Sequence, residues 1–183
     1  MSIWKIYKLL LIIFLLIAEN SVAHDIMIEG IVIQNESVSL NRAGVNLYNQ
    51  GKFNESIKAY EEALNISPEY EKAWHNKGLA LKNLRRYDDA ILAYNKAIEI
   101  DPKFAEAWNE KGIIFYDLGK YNESITAYDE ALNISPEYAV AWYHKGLALD
   151  NLNRYNDSLG AYIRTIEINT NSTDALFNKG CVL

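Results

Sequence analysis

A tryptophan recurs every 34 residues along this chain, each time at the start of the same short motif. The motif reads Ala-Trp, two variable residues and Lys-Gly, and its tryptophans are Trp74, Trp108 and Trp142. A fixed period of this length indicates a chain built from one repeated supersecondary unit. Because stacked units contact only their neighbours, such chains usually bind partners along an extended surface.

Alignment on the glycine of the motif divides the chain into repeats of equal length. The predicted repeats are 37–70, 71–104, 105–138 and 139–172, followed by a partial repeat at 173–183. A longer period is also present, because residues 53–100 and 121–168 agree at 32 of 48 positions. The array therefore resembles a duplicated pair of repeats.

Each repeat predicts two antiparallel helices. In the second repeat, Trp74 and Gly78 are spaced for one face of a first helix, and Ala90 and Tyr94 for one face of a second. We expect Gly78 to lie opposite Ala90 where the helices cross, with Trp74 and Tyr94 buried beside them. Asp88 is predicted to cap the second helix by accepting a hydrogen bond from its free amides.

The same residue types recur at matching positions in the other repeats, and prolines follow the second helices of the first three. These positions are Leu40, Gly44, Tyr60, Ala63 and Pro68; Ala97 and Pro102; Trp108, Gly112, Tyr128, Ala131 and Pro136; and Trp142, Gly146, Tyr162 and Thr165. A proline cannot donate the helical hydrogen bond, so it ends the helix before it.

On these residues the chain resembles a tetratricopeptide repeat (TPR) protein over about 37–183. The resemblance implies an all-α fold, a right-handed TPR superhelix or α-solenoid of antiparallel helix pairs. A lysine precedes the motif glycine where the family commonly has leucine. Its aliphatic stem can pack while the ammonium group reaches water.

The N-terminal segment, 1–23, has the composition of an export signal. Two lysines precede an apolar run at 9–18, and small residues lead to a predicted cleavage site after Ala23. The alternative is an uncleaved membrane anchor through residues 3–18, although a ten-residue helix reaches only about 15 Å of the roughly 30 Å of hydrocarbon. We interpret 24–36 as a linker. The protein is therefore predicted to be exported, to the extracellular space or cell envelope, or membrane-anchored.

The sequence gives little support for catalysis, a cofactor or a metal. Its three histidines form no metal-binding motif, and neither a phosphate-binding loop nor a nucleophile elbow occurs. A single cysteine, Cys181, excludes an internal disulfide framework, and we expect it to be a buried small residue. The net charge of −6, with both signs interspersed, argues against nucleic-acid binding. We predict that the chain is not an enzyme.

The inner wall of a helical stack is the better candidate site, because first-helix side chains away from the Trp-Gly face line it. The predicted groove residues are Asn41, Lys72, His75, Asn76, Asn83, Asn109, Glu110, Tyr143, His144 and Asn151, with Val45, Leu79, Ile113 and Leu147 among them. Asparagines can hydrogen-bond the backbone of an extended peptide, so we predict a protein or peptide partner. The alternative is a solvated face without a partner.

Some relatives grip the C-terminal carboxylate of a chaperone tail with a clamp of lysine, asparagine and arginine side chains. The corresponding positions here hold Asn41, Val45, Asn76, Glu106 and Glu110. Only Asn76 agrees, and two glutamates would repel a carboxylate. The resemblance therefore does not extend to chaperone-tail binding.

Seven N-x-S/T sequons are candidate glycosylation sites. Their asparagines are Asn35, Asn54, Asn65, Asn122, Asn133, Asn156 and Asn171. The alternative explanation is that several of them cap helices and that duplication copied them. Against it, Asp88-Asp89-Ala90 in the second repeat becomes Asn156-Asp157-Ser158 in the fourth, so both sequon residues change together.

The predicted function is a non-catalytic protein–protein interaction scaffold whose concave groove binds a peptide or partner protein. Two alternatives remain. Because Leu176 and Gly180 restart the repeat without a second helix, the chain could self-associate or assemble with an envelope component through its C-terminal repeat. It could also be the binding arm of a larger enzyme, such as a glycosyltransferase.

Overall fold

A computed structural model of the chain describes residues 35–182, which form nine helices and no strand. The helices are α1 at 35–49, α2 Phe53–Ile66, α3 Glu71–Asn83, α4 Tyr87–Ile100, α5 Ala105–Asp117, α6 Tyr121–Ile134, α7 Ala139–Asn151, α8 Tyr155–Ile168 and α9 Thr173–Val182. We call the odd-numbered helices A helices and the even-numbered ones B helices.

The helices follow the predicted repeats closely. Four A helices begin at Glu71, Ala105, Ala139 and Thr173, which are the first residues of the second to fifth repeats. The predicted signal segment lies outside the described residues, as does the linker up to residue 34. Residues 35–36 belong to α1, so the prediction of a linker there is wrong.

The B helices begin two residues before the position expected from the sequence. In α4 the N-cap residue is Arg86, and no side chain makes a capping hydrogen bond. Asp88 is instead the second residue of α4, so the prediction that it caps the helix is wrong. Its carboxylate still favours the helix, because negative charge in the first turn lies near the positive end of the helix dipole.

Each A helix packs against the following B helix through a glycine and a tyrosine. A methyl group added at Gly78 would lie 2.5 Å from Cε1 of Tyr94, and the motif glycines of the other full repeats meet Tyr60, Tyr128 and Tyr162 in the same way. The atoms nearest to this position all belong to the tyrosine ring, which lies over the glycine. Glycine is required here because any side chain would overlap the ring.

The tyrosines, and not the tryptophans, are the fully buried aromatic residues of the stack. Tyr94 is 0% exposed, whereas Trp74 is only half-buried. Nε1 of Trp74 donates a hydrogen bond of 2.8 Å to the carbonyl oxygen of Pro68, and Trp142 makes the same bond to Pro136. These two tryptophans thus tie α3 and α7 to the turns before them.

The A helices form the inner wall of the stack. Neighbouring A helices contact one another, as α3 does with α5 and α5 with α7. The B helices lie on the outer side, where clefts are lined by residues of both A and B helices. The concave surface is therefore built from one face of each A helix.

Candidate binding groove

A ladder of polar side chains joins neighbouring A helices across the concave wall. Each rung pairs a residue with the one 35 positions later, and we call this set the first ladder. Nδ2 of Asn76 donates to Oδ1 of Asn41 at 3.0 Å, and Nδ1 of His144 lies 3.5 Å from Oδ1 of Asn109. Nδ2 of Asn178 donates to the hydroxyl of Tyr143 at 3.3 Å. These contacts join α1 to α3, α5 to α7 and α7 to α9.

A second ladder runs parallel to the first, two helical turns further along the A helices. Nδ2 of Asn83 donates to the hydroxyl of Tyr48 at 2.8 Å, and Nδ2 of Asn151 donates to that of Tyr116 at 3.0 Å. Both asparagines also donate to a carbonyl oxygen of their own helix, four residues earlier. Their amide groups are therefore held in fixed orientations at the edge of the groove.

Between the two ladders lies a stripe of half-buried aliphatic side chains, one from each repeat: Val45, Leu79, Ile113 and Leu147. They follow the first-ladder positions by three or four residues and so lie on the same helix face. We call this set the aliphatic stripe. It gives the concave wall an apolar floor with polar edges, which is the usual composition of a binding groove.

An ion pair crosses the middle of the groove. Nζ of Lys82 on α3 contacts Oε2 of Glu110 on α5, and both side chains are about four-fifths buried. Because each charge is neutralised by the other, the pair presents little net charge to a ligand.

Two histidines are built into the wall beside this ion pair. The ring centroid of His75 lies 4.9 Å from that of Phe104, and that of His144 lies 5.8 Å from that of Tyr128. Burial lowers the pKa of both histidines, although the carboxylate of Glu110 acts in the opposite direction. Nε2 of His75 is buried, and no hydrogen-bond partner reaches it. Both rings are therefore favoured in the neutral form.

The structure sorts the predicted groove residues by exposure. Lys72, Asn83 and Asn151 are exposed, and His75, Asn76, Glu110, Tyr143 and His144 are half-buried. Asn41 and Asn109 are 9% and 1% exposed. The expectation that these two face a ligand is wrong, because they support the ladder from beneath. The hydrogen bonding of these side chains to the next A helix was not predicted from the sequence, although polar residues 35 positions apart are a signal for it.

The outer side carries two equivalent clefts that the sequence did not predict. The first cleft, of about 420 Å³, includes Trp74, Lys77 and Leu81, and the second cleft, of about 430 Å³, includes the residues 68 positions later. The lysine of each cleft lies over its tryptophan ring, at 5.4 and 5.1 Å from the centroid. Each lysine also pairs with a carboxylate of the preceding B helix, Glu61 or Asp129.

The third repeat departs from this arrangement. Phe115 stands where the clefts have leucine, and Asn95 stands where they have the acidic partner. Nζ of Lys111 therefore lies over the rings of both Trp108 and Phe115, at 4.9 and 5.9 Å. Burial lowers the pKa of Lys111. The structure thus alternates with a period of two repeats, as the 68-residue duplication implies.

Two further findings concern the described part of the chain. Cys181 is exposed, so the expectation that it is buried is wrong. Within residues 35–182, no helix has both the length and the apolar character needed to cross a bilayer.

Comparison with solved structures supports the fold. The crystal structure of MamA superposes with a TM-score of 0.70 at 25% identity, covering 76% of this chain and 81% of that one. YrrB, described as a TPR protein with an unusual peptide-binding site, gives a TM-score of 0.66 at 16% identity over 80% and 76% of the two chains. The first TPR domain of Spaghetti (RPAP3), bound to the HSP90 peptide SRMEEVD, gives 0.60 at 20% identity over 61% and 89%.

No curated protein sequence matches this chain. Family models do match it. The tetratricopeptide repeat models cover residues 71–104 and 93–126, and a further TPR repeat model covers 44–84 and 112–153. These matches follow one another along four repeats, and they agree with the helix pairs and the glycine–tyrosine contacts described above. The chain belongs to the tetratricopeptide repeat family.

Proposed function

We propose that the protein is a non-catalytic interaction scaffold that binds an extended segment of a partner protein along its concave groove. The observation that carries the proposal is the aliphatic stripe, which leaves one half-buried apolar side chain per repeat between two ladders of paired polar side chains. Family membership supports the same conclusion, because TPR proteins are generally interaction scaffolds. Solved neighbours that bind peptides add to this support.

The groove favours a ligand with apolar side chains. An apolar side chain placed on Leu79 or Ile113 would displace water from half-exposed aliphatic surface, at about 25 cal/mol per Å². The ladder amides of Asn83 and Asn151 lie beside the stripe. Their amide protons are already donated, but their side-chain carbonyl oxygens can still accept hydrogen bonds from a peptide backbone.

A peptide held by its terminal carboxylate fits this groove poorly. The carboxylate of Glu106 is exposed at the place where a clamp would need a positive charge, and Glu110 is already paired with Lys82. The HSP90 peptide bound by the Spaghetti domain is therefore not the ligand class that we propose here.

Substitutions in the stripe test the proposal. In affinity capture from the native organism, followed by titration with the captured segment, Leu79→Glu and Ile113→Glu should each weaken binding at least tenfold. The matched control is Leu92→Glu, since Leu92 is 64% exposed on the outer face of α4 and can accept a charge without affecting the groove. Unchanged affinity in both groove variants, or loss only with the outer-face control, would contradict the proposal.

A second candidate function is self-association through the last helix. Phe177 and Leu176 on α9 are 72% and 48% exposed, which gives this helix an outward apolar surface. The variant Phe177→Ser should convert an oligomer to a monomer in light scattering if this surface is an interface. A wild-type chain that is monomeric at high concentration contradicts the idea.

We further propose that the protein is exported, with cleavage near Ala23, or is held at a membrane by residues 3–18. The support is the composition of 1–23, a basic start followed by an apolar run and small residues. N-terminal sequencing of the protein from its native organism tests this proposal. A chain that begins at His24 supports cleavage, and a full-length chain in the membrane fraction supports the anchor. A full-length chain in the cytosol contradicts both.

A further inference from the structure

The sequons are distributed unevenly over the two kinds of helix. Five of the six B-helix asparagines begin a sequon, and Asn95 is the exception: Asn54, Asn65, Asn95, Asn122, Asn133 and Asn156. Only the first of the nine A-helix asparagines does so: Asn35, Asn41, Asn46, Asn49, Asn76, Asn83, Asn109, Asn151 and Asn178. The motif is therefore concentrated on the outer face and is nearly missing from the groove wall.

Three of these sequons occupy the same place in their helices. Asn54, Asn122 and Asn156 are the second residues of α2, α6 and α8, and all three are exposed. By contrast, Asn65 and Asn133 lie in the last turns of α2 and α6, where a proline three residues later restricts the chain. The first-turn positions form one row along the outside of the stack.

The fold requires neither residue of the first-turn sequons. No side-chain capping hydrogen bond forms at the start of α2, α6 or α8, so the asparagines are not there as caps. The serines Ser56, Ser124 and Ser158 are each 0% exposed, but α4 has Ala90 at the same position with the same burial. A hydroxyl is therefore not needed for packing. The fold of α4 therefore shows that the repeat does not require an asparagine and a serine at these two positions.

We propose that Asn54, Asn122 and Asn156 are N-glycosylation sites on the outer face, and that their glycans leave the concave groove open for its partner. The proposal rests on the export proposed above. In the reaction, Nδ2 of the asparagine forms a bond to the anomeric carbon of a sugar activated as a phosphate ester. The bond from that carbon to the phosphate oxygen breaks, the phosphate leaves with the electron pair, and one amide proton passes to a base of the transferase.

The structure also fixes when this reaction takes place. The hydroxyls of Ser56 and Ser158 donate hydrogen bonds of 2.8 and 3.0 Å to the carbonyl oxygens of Phe53 and Tyr155 within the first turn of their helices. A transferase that reads the whole sequon cannot reach a buried serine. Glycans at these sites must therefore be attached before α2, α6 and α8 fold, as the chain is exported.

One consequence distinguishes the two outer clefts. Asn156 lines the second cleft, whereas the second repeat has Asp88 at the equivalent position and no sequon. A glycan on Asn156 stands at the mouth of the second cleft and leaves the first one bare.

The test is glycopeptide mass spectrometry of the protein from its native organism. We expect peptides that contain Asn54, Asn122 and Asn156 to carry glycan mass. The variant Ser158→Ala should lose one glycan and keep its fold, because α4 already has alanine there. The reciprocal variant, Asp88→Asn with Ala90→Ser, should gain one glycan in the second repeat.

Exported protein with unmodified asparagines at all three positions would overturn the proposal while leaving the export and groove proposals intact. Unmodified protein found in the cytosol would overturn both the glycosylation and the export proposals. Partner capture on the same samples, with the stripe variants described above, reports on the groove independently.

Discussion

The contact of Gly78 with Tyr94 allows a demanding test of how this stack is held together. The substitution Gly78→Ala adds one methyl group, whose carbon would lie 2.5 Å from Cε1 of the tyrosine. Carbon atoms in ordinary contact are about 3.5–4.0 Å apart, so the ring or the helix must move by about 1 Å. The ring has no free space to enter, because Tyr94, Ala90 and Ala97 are all 0% exposed.

Two opposing effects set the magnitude. Overpacking a core by one methyl group costs about 1–3 kcal/mol. Replacing a glycine inside a helix by alanine favours folding by about 0.5–1 kcal/mol. Gly78→Ala should therefore lower the free energy of unfolding by about 1–2.5 kcal/mol, taking the upper half of the overpacking range because the site is closed.

Gly160 provides the matched control within the same chain. It lies inside α8, it is exposed, and a methyl group there would meet nothing within 4 Å. Gly160→Ala should raise the free energy of unfolding by about 0.5–1 kcal/mol, since only the helix propensity changes. The two substitutions are chemically identical and should have opposite signs.

Urea unfolding followed by far-UV circular dichroism measures both variants. A third arm repeats Gly78→Ala in a Tyr94→Leu background, where the ring is gone and the added methyl group should cost less. The reasoning is refuted if Gly78→Ala is as stable as the wild type. It is also refuted if Gly160→Ala loses as much, or if the cost is unchanged in the Tyr94→Leu background.

Three further predictions follow from the polar groups. The double variant His75→Asn, His144→Asn should lose less stability than the wild type when the pH is lowered. Burial lowers the pKa of both histidines in the folded state, so their contribution to stability is complete above the unfolded-state pKa of about 6.5. That contribution disappears as the pH falls through the folded-state pKa values. Identical pH dependence of urea midpoints in wild type and variant would contradict this. The variant Asn95→Glu should give Lys111 a carboxylate partner and raise the free energy of unfolding by about 0.5 kcal/mol at low salt. About 1 M NaCl should remove this gain by screening the charges, and a variant with no gain at low salt would contradict the prediction. The variant Asn109→Ala should lower the free energy of unfolding by about 1–3 kcal/mol, because it leaves polar groups of the buried ladder unpaired. Thermal or urea unfolding measures this loss, and a change near zero would show that the fold does not depend on the ladder.

The sequence predicted the helix pairs well because a 34-residue period is a strong pattern. The glycines, tyrosines and prolines recur at fixed offsets, and these offsets place the helices almost to the residue. Resemblance to the TPR family predicted the same architecture, which the family models and solved neighbours confirm. Local residue patterns and the global fold agree here, as they do in foldable sequences.

Contacts between helices were harder to predict. The sequence placed Gly78 opposite Ala90 with Tyr94 beside them, but it did not show the offset of the two helices that brings the tyrosine ring directly over the glycine. That offset depends on how ridges of side chains interlock, and periodicity does not report it. The N-cap of α4 was expected at Asp88 but lies two residues earlier, at Arg86, because helix ends vary by one or two residues in ways that composition does not reveal.

The groove was predicted as a surface, and its internal bonds were not. Asn109 has the polarity of a ligand-binding residue, yet it is 1% exposed and supports His144. A residue and the one 35 positions later become neighbours only when adjacent A helices pack side by side. In the sequence alone, a polar side chain that binds a ligand cannot be distinguished from one that hydrogen-bonds to the next repeat.

The alternation between repeats bears on how an array like this can change in length. The pairs Glu61–Lys77 and Asp129–Lys145 form at every second junction, and Phe115 fills the junction between them. Loss of residues 71–138, two whole repeats, would join α2 to α7 and set Glu61 against Lys145, a pairing the chain already uses. Loss of 71–104 alone would set Glu61 against Lys111, where the native neighbour is Asn95. A change of 68 residues, twice the repeat that the tryptophans mark, therefore reproduces a junction of the native kind, whereas a change of 34 residues creates a pairing that the native chain does not contain.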